Sequence, residues 1–369
     1  MIRVPLLRSL RRYLSSWFTW IPVLAATLLA FAWGRTLGPF AVMVVALALI
    51  AAVLTAVHHA EVVAHRVGEP FGTLILALAV TVIEVALVVS MILSGGDGAS
   101  AIARDTVYAA IMIVCNGVVG LCLLLGSLRH HEIKFRVDST SPSLSVLISL
   151  AVLVLVLPTF TTSTAGPTFS VPQLAFAGVM SVVLYAAFVF FQTVRHRDYF
   201  LPMDTDNSID DEHAAPPSVR QAWLSLGLLL MCLVAVVGLA KLMAPVIRSG
   251  VSAMGAPAAV VGVLIAMLVL SPETVAAVRA ARANRIQTSL NLALGSALAT
   301  IGLTIPVVAA LSVVLGFPLV LGLPAKEMVL LALTLVVSVL TLASGRATVL
   351  QGMVHLVLFA AFLFLAIVP

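Results

Sequence analysis

Two glutamates lie inside long apolar stretches, where acidic side chains are rare. Glu84 stands in FGTLILALAVTVIEVALVVSMIL, with at least nine uncharged residues on each side, and Glu273 stands in VVGVLIAMLVLSPETVAAV. The other 13 of the 15 acidic residues fall in loops, tails or predicted helix ends. Because an ionised group at the centre of a membrane span costs about 2.5–3.5 kcal/mol, an acid at that depth is a candidate functional group.

Two carboxylates that face each other would suit a hard cation. Calcium takes six to eight oxygen ligands, mixing carboxylates with carbonyls, hydroxyls and water. Thr81 and Ser271 supply hydroxyls close to the two glutamates in the sequence. Pro272 removes a backbone donor and predicts a helix break, which would offer the carbonyls near Leu268 to Ser271 as further ligands.

The same pair of acids predicts proton binding. Without a cation, two like charges in a dry site cannot both remain ionised, so protons bind instead. Cation and proton then compete for the same oxygens, and in a site with alternating access this competition is exchange. The alternative interpretation is that each glutamate is a buried acid hydrogen-bonded to a serine or threonine.

The composition indicates which elements must position these residues. Hydrophobic residues make up 62% and charged residues 9% of the 369 positions, with a mean hydropathy of +1.19, whereas soluble domains carry about 25% charged residues. The chain is therefore expected to be an all-α polytopic membrane protein. Its 20 basic residues are scattered in short loops, which argues against nucleic-acid binding. The three cysteines form no metal or disulfide motif, and we expect no cofactor.

Continuous apolar runs predict helical spans, because a helix satisfies its own backbone in lipid and needs about 20 residues to cross it. Eleven spans are predicted, at 18–34, 37–60, 71–94, 106–127, 143–160, 171–194, 220–242, 256–278, 288–316, 326–343 and 348–368.

The longest polar stretch divides the helices after the first into two sets of five. The predicted divisions are a basic N-terminal arm with the first span, a first repeat, an acidic cytoplasmic linker and a second repeat, at 1–36, 37–194, 195–219 and 220–369. Because five is odd, the two repeats insert with opposite topology, as in many secondary transporters. Each glutamate lies in the second helix of its repeat, so the pair should meet near the midplane.

The basic residues predict the orientation. With the N-terminus in the cytoplasm, 15 of the 20 Lys and Arg residues fall on the cytoplasmic side and five outside, as expected from the accumulation of basic residues in cytoplasmic loops. The C-terminus then lies outside. The acids of the linker 195–219 are interpreted as solvated, with a regulatory cation site as the alternative.

Other polar residues have two interpretations each. Asn291, Gly295 and Ser296 either assist the site or join helices through hydrogen bonds and small residues, and Asn116, Gly117 and Gly120 are equally ambiguous. Gly295 and Gly302 are expected to let helices approach closely. His58, Glu61 and His65 share a helix face; they are interpreted as a wet helix end, with a cytoplasmic access path as the alternative. His355 is predicted to be a packed histidine.

Two segments resemble a known family. VAHRVGEPFGTLILALAVTVIEV and SPETVAAVRAARANRIQTSLNLALGSALATIGLTIP are similar to the paired alpha-repeats of the calcium:cation antiporter superfamily, closest to the bacterial calcium/proton (sodium-potassium/proton) antiporters. The matching positions are the glycine pair Gly68 and Gly72, the glutamates Glu84 and Glu273, and the Gly-Ser pair Gly295 and Ser296.

The resemblance implies that the two glutamates bind the transported cation and take up protons, within one leading helix and two inverted five-helix repeats. The chain departs from the family's Gly-Asn-Ala-x-Glu motif, since residues 80–83 read Val-Thr-Val-Ile and residues 269–272 read Val-Leu-Ser-Pro. The missing asparagine ligands leave room for sodium or potassium beside calcium.

The sequence thus predicts a cation/proton antiporter of the bacterial inner membrane that exports calcium, with sodium or potassium as further substrates. Its partners would be metal cations, protons and lipid, without nucleic acid. A cation channel with a carboxylate-lined pore is the alternative. An enzyme is not expected, because the sequence lacks GxSxG and P-loop patterns and no nucleophile with a base lies at membrane depth.

Overall fold

The computed structural model describes residues 17–68, 71–96, 98–200 and 217–368. These residues fold almost entirely into helices joined by short loops. A short antiparallel ladder pairs β1 (Ile133–Lys134) with β2 (Arg346–Ala347). The predicted N-terminal arm and most of the predicted acidic linker, residues 1–16 and 201–216, lie outside the described residues.

The helices are numbered α1 to α13 in chain order. Their bounds are α1 Trp17–Ala32, α2 Pro39–Val67, α3 Phe71–Leu93, α4 Ala99–His130, α5 Val137–Phe160, α6 Val171–Arg195, α7 Arg197–Phe200, α8 Val219–Ala253, α9 Ala259–Val269, α10 Ser271–Arg282, α11 Ile286–Leu315, α12 Ala325–Leu342 and α13 Val349–Ile367.

Four of these helices contain a π-helical turn, which accommodates one extra residue in the helix. The turns are Ile113–Val118 in α4, Val152–Val156 in α5, Phe191–Arg195 in α6 and Thr300–Thr304 in α11.

The described residues contain nine helices that are long and apolar enough to cross a membrane, namely α2 to α6, α8 and α11 to α13. The bent pair α9 and α10 passes the same test jointly, and α1 is a shorter apolar helix of 16 residues. Each predicted span overlaps a helix or the bent pair, so the prediction of a helical, multi-pass membrane protein is confirmed. The count of eleven spans stays a prediction.

Two helices continue well beyond their predicted spans. Helix α2 runs to Val67 and α8 runs to Ala253, because charged residues end an apolar run without ending the backbone hydrogen bonding of a helix. Helix α2 stops where Gly68 adopts a φ of +76°, a conformation that favours glycine, and its N–H still bonds to the Ala64 carbonyl.

The chain separates into two compact units, of which the first comprises Met1–Ser94 with Asp211–Ile247. In this unit α1 packs on α2, and α2 packs on α3. The corner between α2 and α3 is tight: a Cβ at Gly72 would lie 2.5 Å from the Ala64 carbonyl oxygen. His59 is fully buried, with its ring nitrogens 3.3 Å from Ser225 Oγ and 3.2 Å from the Phe18 carbonyl.

The second unit comprises Gly95–Asp210 with Arg248–Pro369. Its helix α4 packs against α9, α10 and α13, while α11 packs against α5, α6 and α10. Glycine allows the closest approaches, since a Cβ at Gly262 would lie 2.8 Å from the backbone of Asp105. Compact units and sequence repeats divide a chain differently, so the predicted repeats stay a prediction.

Candidate functional site

Glu84 lies near the middle of α3, a helix without a break from Phe71 to Leu93. Its side chain is buried, with 2% of its surface exposed. Thr81 lies three residues earlier and therefore on the same helix face. The Thr81 hydroxyl donates its hydrogen to the Ala77 carbonyl at 2.8 Å, so the lone pairs of this oxygen remain available to a ligand.

Glu273 lies in a different backbone setting. Helix α9 ends at Val269, α10 begins at Ser271, and the two axes differ by 54°. Pro272 occupies the second position of α10, so its missing N–H costs α10 none of its internal hydrogen bonds. Glu273 follows in the first turn of α10 and is partly exposed. This turn carries the positive end of the helix dipole, which stabilises a negative side chain.

The carbonyls at the break are largely engaged by their own segment. The Ser271 hydroxyl donates to the Leu268 carbonyl at 2.8 Å, in place of the N–H that Pro272 lacks. The Leu270 carbonyl accepts both the N–H and the hydroxyl of Thr274, at 2.9 and 2.7 Å. Since a carbonyl has two lone pairs, the Leu270 carbonyl is fully engaged, and the Leu268 carbonyl also accepts the N–H of Leu270. The Ser271 hydroxyl keeps its lone pairs. The role of these carbonyls as cation ligands stays a prediction.

The amide of Asn291 joins helices. Its oxygen accepts from Gln287 Nε2 at 3.0 Å and its nitrogen donates to the Phe200 carbonyl at 2.8 Å. Gln287 also donates to Ser139 at 2.6 Å. These bonds connect α11 with α5 and with the end of α7, which supports the interhelical interpretation of Asn291.

The expected close packing at Gly295 is wrong. Among the described residues, a Cβ there would meet no atom within 4 Å apart from the atoms of its own helix turn and chain neighbours. Ser296, the next residue, is partly exposed. Gly302 does pack closely, because a Cβ there would lie 2.8 Å from the Cβ of Tyr185. The open space beside Gly295 indicates that this glycine does not serve helix packing.

Asn116 lies in the π-helical turn of α4 and belongs to a buried network. Its nitrogen donates to Thr334 Oγ1 at 2.8 Å and its oxygen lies 3.2 Å from His355 Nδ1. The other ring nitrogen of His355 lies 3.1 Å from Thr341 Oγ1. The network joins α4, α12 and α13, as expected for a packed histidine. Gly120 permits it, since a Cβ there would lie 2.8 Å from the Cβ of His355.

The structure at the end of α2 supports the interpretation of His58, Glu61 and His65 as a solvated helix end. Glu61 and His65 are exposed in the last two turns. His58 instead stacks on Phe18, with ring centroids 4.0 Å apart. The neighbouring His59 is the buried histidine of this helix, and it was missed because its partners, Phe18 and Ser225, lie far away in the sequence.

Thr81 and Glu84 belong to the first unit, whereas Ser271, Pro272, Glu273, Asn291, Gly295 and Ser296 belong to the second. In the second unit the helices that carry Glu273 and the Gly-Ser pair, α10 and α11, pack against each other. The meeting of Glu84 with Glu273 stays a prediction.

Comparison with known proteins gives a consistent family. The model of the family described as sodium/calcium exchanger protein matches residues 37–194 and 224–368. The protein y4hA of Sinorhizobium fredii (strain NBRC 101917 / NGR234), whose name assigns it provisionally to the ionic transporters, is 52% identical over 326 residues, 87% of each chain. The sodium-potassium/proton antiporter ChaA of Escherichia coli (strain K12) is 39% identical over 349 residues, 93% of each chain.

Solved structures share the fold. Native YfkE gives a TM-score of 0.71 at 16% identity and covers 95% of this chain and 100% of its own. A second structure of YfkE, named there a Ca²⁺/H⁺ antiporter, gives a TM-score of 0.70 at 14% identity and covers 95% of this chain and 99% of its own. Likeness at such low identity shows the fold alone.

Proposed function

The chain belongs to the sodium/calcium exchanger protein family, and from this membership we propose that it exchanges metal cations for protons across the bacterial inner membrane. Inward proton movement drives export of the cation. Glu84 and Glu273 bind the cation and the protons in turn. The N-terminus lies in the cytoplasm and the C-terminus outside.

The observation that carries this proposal is the burial of Glu84. Its carboxyl group lies near the middle of an unbroken apolar helix and is almost fully removed from solvent. Packing alone would favour an apolar residue there, because a carboxylate is costly at membrane depth. The placement of Glu273 after a helix break adds support, since discontinuous helices commonly carry the ion sites of secondary transporters.

The proposed exchange follows from shared ligands. A cation needs both carboxylates ionised, and each proton that binds removes one charge and one ligand from the cation. Thr81 and Ser271 fit the role of neutral ligands, because each hydroxyl has directed its hydrogen to a carbonyl of its own segment. Cation and proton then occupy the same oxygens at different times.

The proposed exported ion is calcium, with sodium and potassium as further substrates. Two acids with added hydroxyl and carbonyl oxygens form a ligand set suited to calcium. The absence of asparagine before both glutamates reduces the number of neutral ligands. A relative that shares 39% of its residues is named a sodium-potassium/proton antiporter, so the three ions need separate measurement.

We also propose that two inverted five-helix repeats position the glutamates. Helices α2 to α6 form the first set, and α8, the bent pair, α11, α12 and α13 form the second. Glu84 and Glu273 then lie in the second member of each set, α3 and the bent pair, which is the placement that an inverted repeat would require.

The decisive experiment is exchange in proteoliposomes with Glu84→Gln and Glu273→Gln. Each variant keeps the shape of the side chain but cannot carry a charge, so proton-coupled uptake of calcium, sodium and potassium should fall about a hundredfold or more. Uptake is followed with each ion separately, together with a pH-sensitive dye inside the vesicles.

Glu132→Gln is the matched control, because Glu132 is exposed in a loop; it should exchange at the wild-type rate. Normal exchange in both Glu84→Gln and Glu273→Gln would overturn the assignment of the glutamates. Ion flux without countermoving protons would contradict antiport and indicate a channel.

A further inference from the structure

Two base–acid pairs lie at the start of two helices in the second unit. Arg104 and Asp105 lie at the start of α4, and Lys326 and Glu327 lie in the first turn of α12. Although the pairs are far apart in the sequence, they line one cavity together with Tyr108. These residues take no part in the proposed exchange site.

In each of the two pairs, one carboxylate oxygen of the acid forms an ion pair with the neighbouring base. Arg104 Nε and Nη2 both lie 2.8 Å from Asp105 Oδ1, and Nη1 donates to the Gly322 carbonyl at 3.2 Å. Lys326 Nζ lies 3.4 Å from Glu327 Oε1 and donates to the Leu365 carbonyl at 3.0 Å. Both bases therefore already donate to groups of the protein.

Two oxygens in the cavity wall lack such partners. Within the described residues, Tyr108 Oη and Glu327 Oε2 are buried and form no hydrogen bond. Tyr108 is 5% exposed, and the surrounding wall includes the apolar side chains of Val263, Leu330 and Phe362. Because a buried oxygen without a partner is costly, the cavity is suited to a polar ligand that contacts both atoms.

The size and charge of the cavity select the ligand. Its volume is about 50 Å³, and since about 10–15 Å³ holds one water molecule, a small ion with a few waters would fill it. An anion would meet the free oxygen of Glu327, while the basic groups already donate elsewhere.

A divalent ion would need more acidic ligands than the cavity offers. The described residues contain no group of three or more His, Cys, Asp or Glu that could hold a metal. Arg104 and Lys326 also offset the charge of the two acids. We propose that the cavity binds a monovalent cation of the size of sodium or potassium, through Glu327 Oε2, Tyr108 Oη and water. The ammonium group of Lys326 competes with this cation, because it already forms an ion pair with the Glu327 carboxylate.

The experiment measures cation binding by the purified full-length chain. Thermal unfolding of the Glu84→Gln/Glu273→Gln double variant is followed in sodium, potassium and choline chloride at equal ionic strength and fixed pH. Sodium or potassium should raise the unfolding temperature above the value in choline, because a ligand that binds the folded state stabilises it.

Variants of the cavity separate this site from any other. Tyr108→Phe and Glu327→Gln should each lower the apparent cation affinity about tenfold or more, whereas Lys326→Met should raise it about tenfold by removing the competing charge. Tyr185→Phe is the matched control, since it removes a buried phenol oxygen of the same unit outside the cavity lining; it should leave the affinity unchanged.

Equal unfolding temperatures in all three salts would overturn the proposal, as would an unchanged affinity in Lys326→Met. Loss of affinity in Tyr185→Phe as large as in Tyr108→Phe would also overturn it. The measurement is of binding, so a failure of the proposed exchange in proteoliposomes would leave the result for this cavity intact.

Discussion

Helices α3 and α10 place a glutamate in opposite backbone settings. Glu84 lies in an unbroken helix, with its carboxyl group almost fully buried. Glu273 lies in the first turn of α10, after a bend of 54°, and is partly exposed. The two segments therefore differ in helix continuity, in exposure of the glutamate and in the local helix dipole.

If both glutamates bind the cation, as proposed above, this difference predicts unequal roles for them. The continuous hydrogen bonding of α3 fixes the Cα of Glu84, so its carboxyl group has little freedom to adjust. A helix N-terminus stabilises a negative charge, and Glu273 is partly exposed. We expect Glu84 to be the stricter position and Glu273 the more tolerant one.

The largest expected effect comes from shortening each acid by one methylene. Glu84→Asp should lower the rate of exchange about a hundredfold, because a carboxyl group displaced by about 1 Å from a rigid helix loses its geometry. Glu273→Asp should lower it only about tenfold or less, since the first turn of α10 can adjust. Initial rates of proton-coupled uptake in proteoliposomes provide the measurement.

Glu132→Asp serves as the control for this pair, because the same shortening then occurs on an exposed loop residue. Equal losses of exchange in Glu84→Asp and Glu273→Asp would contradict the inferred inequality, and a larger loss in Glu273→Asp would reverse it.

A second, smaller effect should follow from removing the break. Pro272→Ala restores the N–H that can bond to the Leu268 carbonyl, so the helix is expected to straighten. Exchange should fall about tenfold while the unfolding temperature stays equal or rises. Uptake rates and thermal unfolding are measured together.

Pro245→Ala is the matched control, because Pro245 lies inside the continuous helix α8. Wild-type exchange by Pro272→Ala would show that transport does not need the bend.

The smallest effects are expected from substituting glycines in the two segments that resemble the family, and they are changes in the stability of the protein. Gly72→Ala should destabilise the protein by about 1–3 kcal/mol, because its Cβ would press on the Ala64 carbonyl oxygen. Gly295→Ala should leave stability unchanged or raise it by about 0.5–1 kcal/mol, since its Cβ meets open space within a helix. Unfolding temperatures in detergent compare the two, and a Gly295→Ala protein as unstable as Gly72→Ala would contradict this reading.

Much of the fold was predictable, because lipid allows few solutions to an apolar run of 20 residues. The wrong predictions concern helix ends, which backbone hydrogen bonding determines and the length of an apolar run does not. Helix α2 continues through Glu61 and His65 to Val67, and α8 continues past Lys241 and Arg248. Backbone hydrogen bonding does not depend on the charged side chains that end an apolar run.

The candidate site was predictable in part, because an acid such as Glu84 in an apolar helix is visible without a structure. Tertiary partners are not visible in this way. Asn291 bonds to Phe200 and Asn116 bonds to Thr334 across long stretches of chain. The cavity of Tyr108 and Glu327 was missed for the same reason, although a base–acid pair at each of two helix starts was a sequence signal.

The π-helical turns in α4 and α11 have a consequence for sequence comparison. In the proposed five-helix repeats these helices would both take the third place, and each contains a wider turn, at Ile113–Val118 and Thr300–Thr304. Such a turn holds one residue more than a regular helix, so deleting that residue would leave a regular helix and keep the side-chain faces before and after it in place. The same deletion in a regular helix would rotate everything that follows by about 100°. Alignments between distant relatives should therefore permit a single-residue gap in mid-helix, a place where gaps are usually penalised.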